Sequence, residues 1–197
     1  MIKIVTIGAY GFNEETFFDA LQAAGVQVFC DIRWRRGVRG AEYTFVNHKR
    51  LVTRLESLGI AYIHRRDLAP TPEIRQRQKD ADKTGKVAKR KRGTLSPDFI
   101  NTYRGEILAG FDPQAFLDEL PEGTEVIALF CVEREPAACH RSLVSDRLRW
   151  TDGVVVEHLL PDLSPNKDTI EELEEAKHHN NLDRFNTVEE LNKDLEI

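Results

Sequence analysis

The sequence predicts an α/β protein, a layered Rossmann-like domain with a mainly parallel sheet of about five strands and flanking helices. Short runs rich in Val and Ile alternate with stretches whose apolar residues keep a helical spacing. The strand-like runs are almost continuously apolar, which is typical of parallel strands that helices cover on both faces. Glycines separate many of these segments, and the alternation is the pattern of consecutive βαβ units.

Capping and turn residues delimit the first βαβ unit. Residues 1–8 are rich in Ile and Val and predict a first strand that ends at Gly8. Asn13 can cap the helix that follows, and Gly25 ends that helix. The apolar run at 26–33 ends in charged residues, as expected of an interior strand whose carboxyl end faces a site.

The same signals predict the remaining elements. Leucines at helical spacing mark a helix near 47–58, and residues 60–64 form a short third strand. Ser96 can cap a later helix that has Pro97 at its first position. The later helices are predicted at 96–107, 113–120 and 136–148, and the later strands at 126–131 and 154–160.

Charge divides the chain into three parts. Residues 65–92 hold 11 basic and 4 acidic groups, whereas residues 157–197 hold 4 basic and 12 acidic groups, in a chain of net charge -5. We expect one α/β domain at 1–160, interrupted at 65–95 by a basic, mobile surface insertion that adds little to the core. Residues 161–197 are expected to form an acidic tail, helical or partly disordered. One hypothesis is that this tail occupies the basic loop or recruits a partner.

No apolar run approaches the roughly 18 uninterrupted residues of a membrane span, and no export signal is visible. We therefore expect a cytoplasmic protein with no membrane partner. The three cysteines, Cys30, Cys131 and Cys139, are an odd number and are expected to be reduced thiols, with Cys30 in the core. The sequence requires no cofactor and does not indicate an oligomeric state.

The densest group of reactive side chains follows the most apolar strand. Cys131 and Glu133 come directly after it, and the spacing from His140 to Val144 places the imidazole at the amino-terminal end of a buried helical stripe. One hypothesis makes Cys131, Glu133 and His140 the catalytic residues of a hydrolase or transferase. Cys131 would then be the nucleophile or Glu133 the general base.

Two other interpretations fit the same residues. Zinc binds thiolates and imidazoles, so Cys131, Cys139 and His140, with Glu133 beside them, are candidate zinc ligands, although their spacing matches no strong zinc signature. The structural interpretation makes them buried thiols and a hydrogen-bonded core histidine. The sequence leaves all three interpretations open.

Polar residues at the other strand ends are candidates to bind a ligand beside this group. For Asp31 and Arg33 a structural ion pair is the alternative, and for Tyr103 a place in the core. Asp31 and Arg33 end the second strand and His64 ends the third, so in a parallel sheet they reach the same edge as Cys131. Guanidinium groups favour an anionic, phosphate-bearing and nucleotide-like ligand. The predicted ligand-binding residues are Asp31, Arg33, His64, Tyr103, Cys139 and Arg141.

The alternative function is that of a nucleic-acid-associated protein that binds without catalysis. Trp34 can stack on a base, and basic residues surround it in the same loop. The candidate contacts are Trp34, Arg35, Arg36, Lys89, Arg90, Lys91 and Arg92. Since the catalytic candidates lie outside both charged segments, we expect chemistry and partner binding to be separable.

Taken together, these motifs resemble those of the domain of unknown function 488 family. The resemblance covers about residues 3–150, and the block from Cys131 to Arg141 carries most of it. It implies an α/β domain whose signature residues converge on one crevice, and it implies no established reaction. The matching motifs are Thr6-Ile7-Gly8, Asp31-Ile32-Arg33, the strand from Leu58 to His64, Phe99 with Tyr103, Cys131-x-Glu133 and Cys139-His140-Arg141. The chain departs from the family pattern at Tyr10, at Trp34 to Gly37 and at Ala69-Pro70.

Overall fold

A computed structural model describes residues 1–88 and 91–162 of the chain. Its strands are β1 (Ile2–Ile7), β2 (Val28–Asp31), β3 (Ala61–His64), β4 (Val126–Phe130) and β5 (Val154–Leu159). Its helices are α1 (Glu14–Ala23), α2 (His48–Ser57), α3 (Pro72–Thr84), α4 (Pro97–Glu106), α5 (Pro113–Asp118) and α6 (His140–Arg149). The five strands form one parallel sheet in the order β3-β2-β4-β1-β5, so the predicted fold class is confirmed.

Two apolar layers cover the two faces of the sheet. On one face, α1 and α2 pack through residues such as Phe17 and Leu51 against Phe29 and Phe130 of the strands. On the other face, α3 to α6 pack against the alternate strand residues, of which Leu129 is one. The interior strands β1, β2 and β4 are therefore largely buried on both sides, which accounts for their nearly continuous apolar sequences, whereas the edge strands β3 and β5 are partly exposed.

Side-chain caps set the helix boundaries as predicted. The Asn13 side chain accepts a hydrogen bond from the backbone N–H of Thr16 at 2.8 Å, and the Thr16 hydroxyl accepts from the Asn13 N–H in return. Ser96 accepts from the backbone N–H of Phe99 at 3.2 Å, with Pro97 at the first helical position. These bonds satisfy donors that the first turn of a helix cannot pair internally.

The basic segment at 65–95 contributes more to the core than we expected. It forms helix α3, which Thr71 caps by accepting from the N–H of Ile74 at 3.3 Å. Leu68, Ile74 and Leu95 belong to the apolar layer that also contains α4. The expectation failed because charge dominates the composition of the segment, whereas a few well-spaced apolar residues are enough to dock one helix.

Two predicted features lie wholly or mostly outside the described residues. They are Lys89 and Arg90 in the basic segment, and residues 163–197 of the acidic tail. Among the residues that the structure does describe, no helix combines the length and the apolar character needed to cross a membrane.

Candidate functional site

The carboxyl ends of β2 and β4 open onto a cleft of about 490 Å³. The strand register pairs Asp31 with Phe130, so the residues that follow them, Ile32 and Cys131, lie at the same edge of the sheet. The walls of the cleft are the loop after β2, helix α3, the segment that leads into α4, and the loop after β4. This is where open α/β sheets bind their ligands.

Three buried side chains, Cys131, Cys139 and His140, meet at this cleft and are called the Cys-His cluster here. Nδ1 of His140 lies 3.8 Å from Sγ of Cys131 and 3.8 Å from Sγ of Cys139. We expected α6 to begin at Pro136, but a single 3-10 turn, Pro136–Ala138, precedes it. The extended backbone of Cys139 then places its side chain at the N-cap of α6, beside His140.

Contacts on both sides fix the orientation of His140. Nε2 lies 3.0 Å from the carbonyl oxygen of Ile32, and because a carbonyl only accepts, Nε2 carries the proton. Nδ1 faces both sulfur atoms. The ring of Tyr103 lies 5.7 Å from the imidazole in an edge-on arrangement, and its hydroxyl donates to the carbonyl of Leu68 at 2.5 Å.

The pKa values of the two thiols of the cluster are shifted in opposite directions. A hydrogen bond with Cys139, together with burial, raises the pKa of Cys131 well above its usual value. Burial also acts to raise the pKa of Cys139, but the hydrogen bond from Cys131 and the charges of His140 and Arg141 outweigh burial and hold that pKa well below its usual value. The pKa values of the two thiols are therefore shifted in opposite directions by their contact with each other.

Arg33 lies on the cleft with only part of its guanidinium group bonded. Its Nε and Nη2 donate to the two carboxylate oxygens of Asp31 at 2.8 and 2.7 Å, and Nη2 also donates to the carbonyl of Val46 at 3.0 Å. The guanidinium carbon lies 4.5 Å from the ring centre of Phe130. Its buried Nη1 has no hydrogen-bond partner among the described residues.

Arg92 repeats this pattern on the opposite wall. Its Nη1 pairs with the carboxylate of Asp82 at 2.7 Å, and its Nη2 donates to the carbonyl of Ala138 at 3.1 Å. The same Nη2 lies 3.6 Å from Oε1 of Glu133. Its Nε is buried and likewise has no partner within 1–88 and 91–162. The cleft thus holds two guanidinium groups that each keep a hydrogen-bond donor unused.

Further positive charge lies around these two arginines. Arg35, Arg75 and Lys79 also line the cleft. Burial and the nearby charge of Arg35 lower the pKa of Arg75. A lowered pKa means that the charged form of Arg75 is disfavoured where it stands, because positive charges are close together and only partly solvated.

Residues 13–148 match the family described as a domain of unknown function, DUF488. The chain belongs to this family. The matched region contains the whole Cys-His cluster, both arginines with unused donors and every other residue that lines the cleft except Tyr10. No curated protein and no solved structure matches the chain.

Four of the predicted ligand-binding residues of this DUF488 domain make internal contacts instead of lining the cleft. Asp31 binds Arg33 and accepts from the hydroxyl of Tyr62 at 3.0 Å. Nε2 of His64 donates a hydrogen bond of 2.9 Å to the carbonyl oxygen of Arg33. Tyr103, described above, and Arg141 are the other two. Their contacts hold the strand ends and loops that carry the cleft.

Arg141 is completely buried behind the loop after β4. Its Nη1 donates to the carbonyl of Glu133, its Nη2 to the carbonyl of Arg134 at 2.6 Å, and its Nε to the hydroxyl of Thr6 at 3.4 Å. These partners come from β1 and from the loop itself. Arg141 therefore fixes the loop that positions Cys131 and Glu133, and its donors are already used.

Some of the predicted nucleic-acid contacts line the cleft and others do not. Trp34, Arg35 and Arg92 line the cleft, and the guanidinium of Arg66 stacks 4.2 Å from the ring centre of Trp34. Arg36 instead lies within hydrogen-bond distance of the imidazole of His48, and Lys91 is exposed. Lys89 and Arg90 fall outside the described residues.

Sequence reasoning missed the wall that helix α3 supplies. Arg75, Gln78, Lys79 and Asp82 of α3 line the cleft. Their spacing of three and four residues is the signal that could have found them, since it places them on one helix face. Residues of the basic segment and of the Cys-His cluster therefore line one cleft. Tyr10, Trp34 and Pro70, at which the chain departs from the family pattern, also line it.

Proposed function

We propose that the cleft binds a small phosphate-bearing, nucleotide-like ligand. The observation that carries the proposal is the pair of buried donors, Nη1 of Arg33 and Nε of Arg92, that have no hydrogen-bond partner among the described residues. A buried N–H without a partner costs about 1–3 kcal/mol of free energy, so both guanidinium groups would gain from a small shift that brings these donors to an acceptor on a ligand.

The charge of the cleft indicates that this ligand is an anion. Five cationic side chains line it, namely Arg33, Arg35, Arg75, Lys79 and Arg92, against two lining carboxylates, those of Asp82 and Glu133, and the Asp31 carboxylate that pairs with Arg33 from behind the wall. Asp82 is already paired with Arg92 and accepts from the side-chain amide of Gln78 at 2.7 Å. The excess positive charge, partly removed from water, favours phosphate oxygens, which arginine binds through its planar fork of donors.

Aromatic side chains in the wall of the cleft favour a ligand that carries an aromatic group. Trp34 lies on the cleft with Arg66 stacked on its ring, and Phe99, Leu95 and Pro70 add apolar surface. Bases stack on such rings with a free energy of about 1–3 kcal/mol each. A phosphate at the arginines and a base near Trp34 would satisfy both parts of the wall, and the Cys-His cluster would lie beside the bound molecule.

A titration followed by tryptophan fluorescence tests the proposal. Only Trp34 and Trp150 are present, and Trp150 is 84% exposed, so a Trp150→Phe background isolates the signal of Trp34. We expect saturable quenching by nucleoside mono- or diphosphates and none by the matching nucleosides. Arg75→Ala and Lys79→Ala should each weaken binding about tenfold or more, since a charge-assisted contact contributes about 1.5–3 kcal/mol.

Arg77→Ala is the matched control on the same helix. Arg77 lies outside the cleft and pairs with exposed Asp98 at 3.2 Å, so its removal should leave binding unchanged. Equal loss of binding in Arg77→Ala and Arg75→Ala, or no saturable response to any nucleotide, would show the proposal to be wrong.

A nucleic-acid ligand is the second candidate, because Trp34, Arg35 and Arg92, three of its predicted contacts, do line the cleft. Oligonucleotides distinguish it from the first. If the partner is nucleic acid, affinity should rise with strand length and fall steeply with salt, because each neutralised phosphate releases counterions. Binding that is saturated by a mononucleotide supports the small ligand.

A further inference from the structure

We infer that Cys131, Cys139 and His140 form a three-ligand site for a thiophilic divalent metal, with zinc as the first candidate, and that its remaining coordination position faces the cleft. The inference goes beyond the proposed function and does not depend on the phosphate-bearing ligand. It rests on the spacing of three ligand atoms, on the fixed orientation of the imidazole, and on how the fold holds both.

The spacing of the ligand atoms suits tetrahedral zinc. The two Sγ atoms and the imidazole nitrogen lie within 4.8 Å of one another, and Nδ1 lies 3.8 Å from each sulfur. A zinc ion with Zn–S of about 2.3 Å and Zn–N of about 2.0 Å separates sulfur from nitrogen by roughly 3.6 Å and sulfur from sulfur by roughly 3.8 Å. Both sulfur–nitrogen distances are therefore within a few tenths of an ångström of those in a zinc site, and the two sulfur atoms would have to approach each other by at most about 1 Å.

The imidazole is already oriented as a ligand. Metal-binding histidines usually donate their second N–H to a carbonyl or a carboxylate, which fixes the tautomer and the ring plane. His140 does this, since Nε2 donates to the carbonyl of Ile32 at 3.0 Å. Nδ1 is left to face the two sulfur atoms.

The fold holds the three ligands without a metal. Cys131 continues β4, and Cys139 and His140 begin α6, so each ligand sits at the end of a regular element. Arg141 ties the intervening loop down through the carbonyls of Glu133 and Arg134. A metal would therefore bind to a preformed site, and metal-free protein should remain folded.

The number of ligands indicates an open site. Structural zinc sites are closed by four protein ligands, whereas sites with three leave a position for water or for a bound molecule. Glu133, which the sequence suggested as a fourth ligand, does not belong to the cluster; its Oε1 lies 3.6 Å from Nη2 of Arg92. Since Cys131, Cys139 and His140 all line the cleft, the free position is accessible from it.

Cobalt binding is the direct test, because thiolate-bound Co²⁺ has a charge-transfer band in the near ultraviolet and tetrahedral Co²⁺ absorbs strongly in the visible. Full-length protein, reduced and treated with a chelator, is titrated with Co²⁺ alone. We expect both bands, saturation at one ion per chain, and displacement of Co²⁺ by Zn²⁺. Cys131→Ser, Cys139→Ser and His140→Gln should each weaken binding on the order of 100-fold or more.

Cys30→Ala is the matched control, because Cys30 is the third cysteine and lies in the core away from the cleft. It should keep both bands. Circular dichroism of each metal-free variant checks that it is folded. If a ligand variant does not fold, an alkylation measurement on the wild-type protein tests the inference instead. Bound Zn²⁺ should protect two thiols of the wild-type protein from alkylation.

Three outcomes would overturn the inference. They are the absence of the charge-transfer band, full cobalt affinity in both Cys131→Ser and Cys139→Ser, and alkylation at the same rate with and without Zn²⁺. Because the titration uses the metal alone, each of these results would leave the proposed nucleotide binding untouched.

Discussion

The backbone of Gly8 lies directly against the carbonyl group of Glu133. A β-carbon on Gly8 would lie 1.9 Å from that carbonyl oxygen and 3.1 Å from Nη1 of Arg141. The same carbonyl accepts the hydrogen bond from Arg141. The end of β1, the loop after β4 and helix α6 therefore meet at one point, and that point sets the position of the loop with Cys131 and Glu133.

Gly8→Ala should destabilise the protein by about 1–3 kcal/mol or more, because the added methyl group forces backbone atoms apart. Urea denaturation measures the change as a lower midpoint. Gly105→Ala is the control: Gly105 lies in α4, a β-carbon there would contact nothing within 4 Å, and alanine favours a helix by up to about 1 kcal/mol. A Gly8→Ala protein as stable as wild type would contradict the close packing.

Arg141→Lys should cost about 3 kcal/mol of folding free energy. Lysine keeps the charge but cannot reach the carbonyls of Glu133 and Arg134 and the hydroxyl of Thr6 together, and it leaves buried acceptors unpaired. Arg147→Lys, on an exposed position of α6, is the comparison and should change stability by less than about 0.5 kcal/mol. Equal effects of the two substitutions would mean that Arg141 does not hold the loop.

The fold was predictable because its signals are local. The side-chain caps at Asn13 and Ser96 and the alternation of apolar strands with amphipathic helices are all visible within about 15 residues. The Cys-His cluster was predictable for the same reason, since Cys131 ends a strand and Cys139 and His140 open the next helix.

The far wall of the cleft and the role of Arg141 were not predictable from these signals. Helix α3 reaches the cleft only because Leu68, Ile74 and Leu95 dock its segment on the sheet, and this is a contact between distant parts of the chain. Arg141 directly follows His140, but one residue along a helix rotates the side chain by about 100°. The guanidinium therefore points behind the loop while the imidazole faces the cleft.

Asp31→Asn should destabilise the protein by about 3–5 kcal/mol, because it leaves the guanidinium of Arg33 buried without its counter-ion. The pair is 4% and 0% exposed, and Asp31 also accepts from the hydroxyl of Tyr62. Glu157→Gln breaks the exposed pair with Lys3, at 2.6 Å, and should cost no more than about 1 kcal/mol. Chemical denaturation of both variants compares the two pairs, and a similar small loss in each would contradict a tightly bound buried pair.

Acidification should destabilise the protein partly through His158, whose Nδ1 lies 2.7 Å from the hydroxyl oxygen of Thr6. Burial, together with the charges of Arg141 and Arg149, lowers the pKa of His158. The unfolded chain therefore takes up a proton near the ordinary histidine pKa of about 6.5, before the folded chain does, and stability falls as the pH drops from there to the lower folded pKa. Thermal unfolding of wild type and His158→Gln between about pH 7 and 5 isolates this contribution, because the carboxylates titrate alike in both proteins. As the pH is lowered, the unfolding temperature of the wild-type protein should fall more than that of His158→Gln. Equal falls in the two proteins would show that protonation of His158 does not affect folding stability.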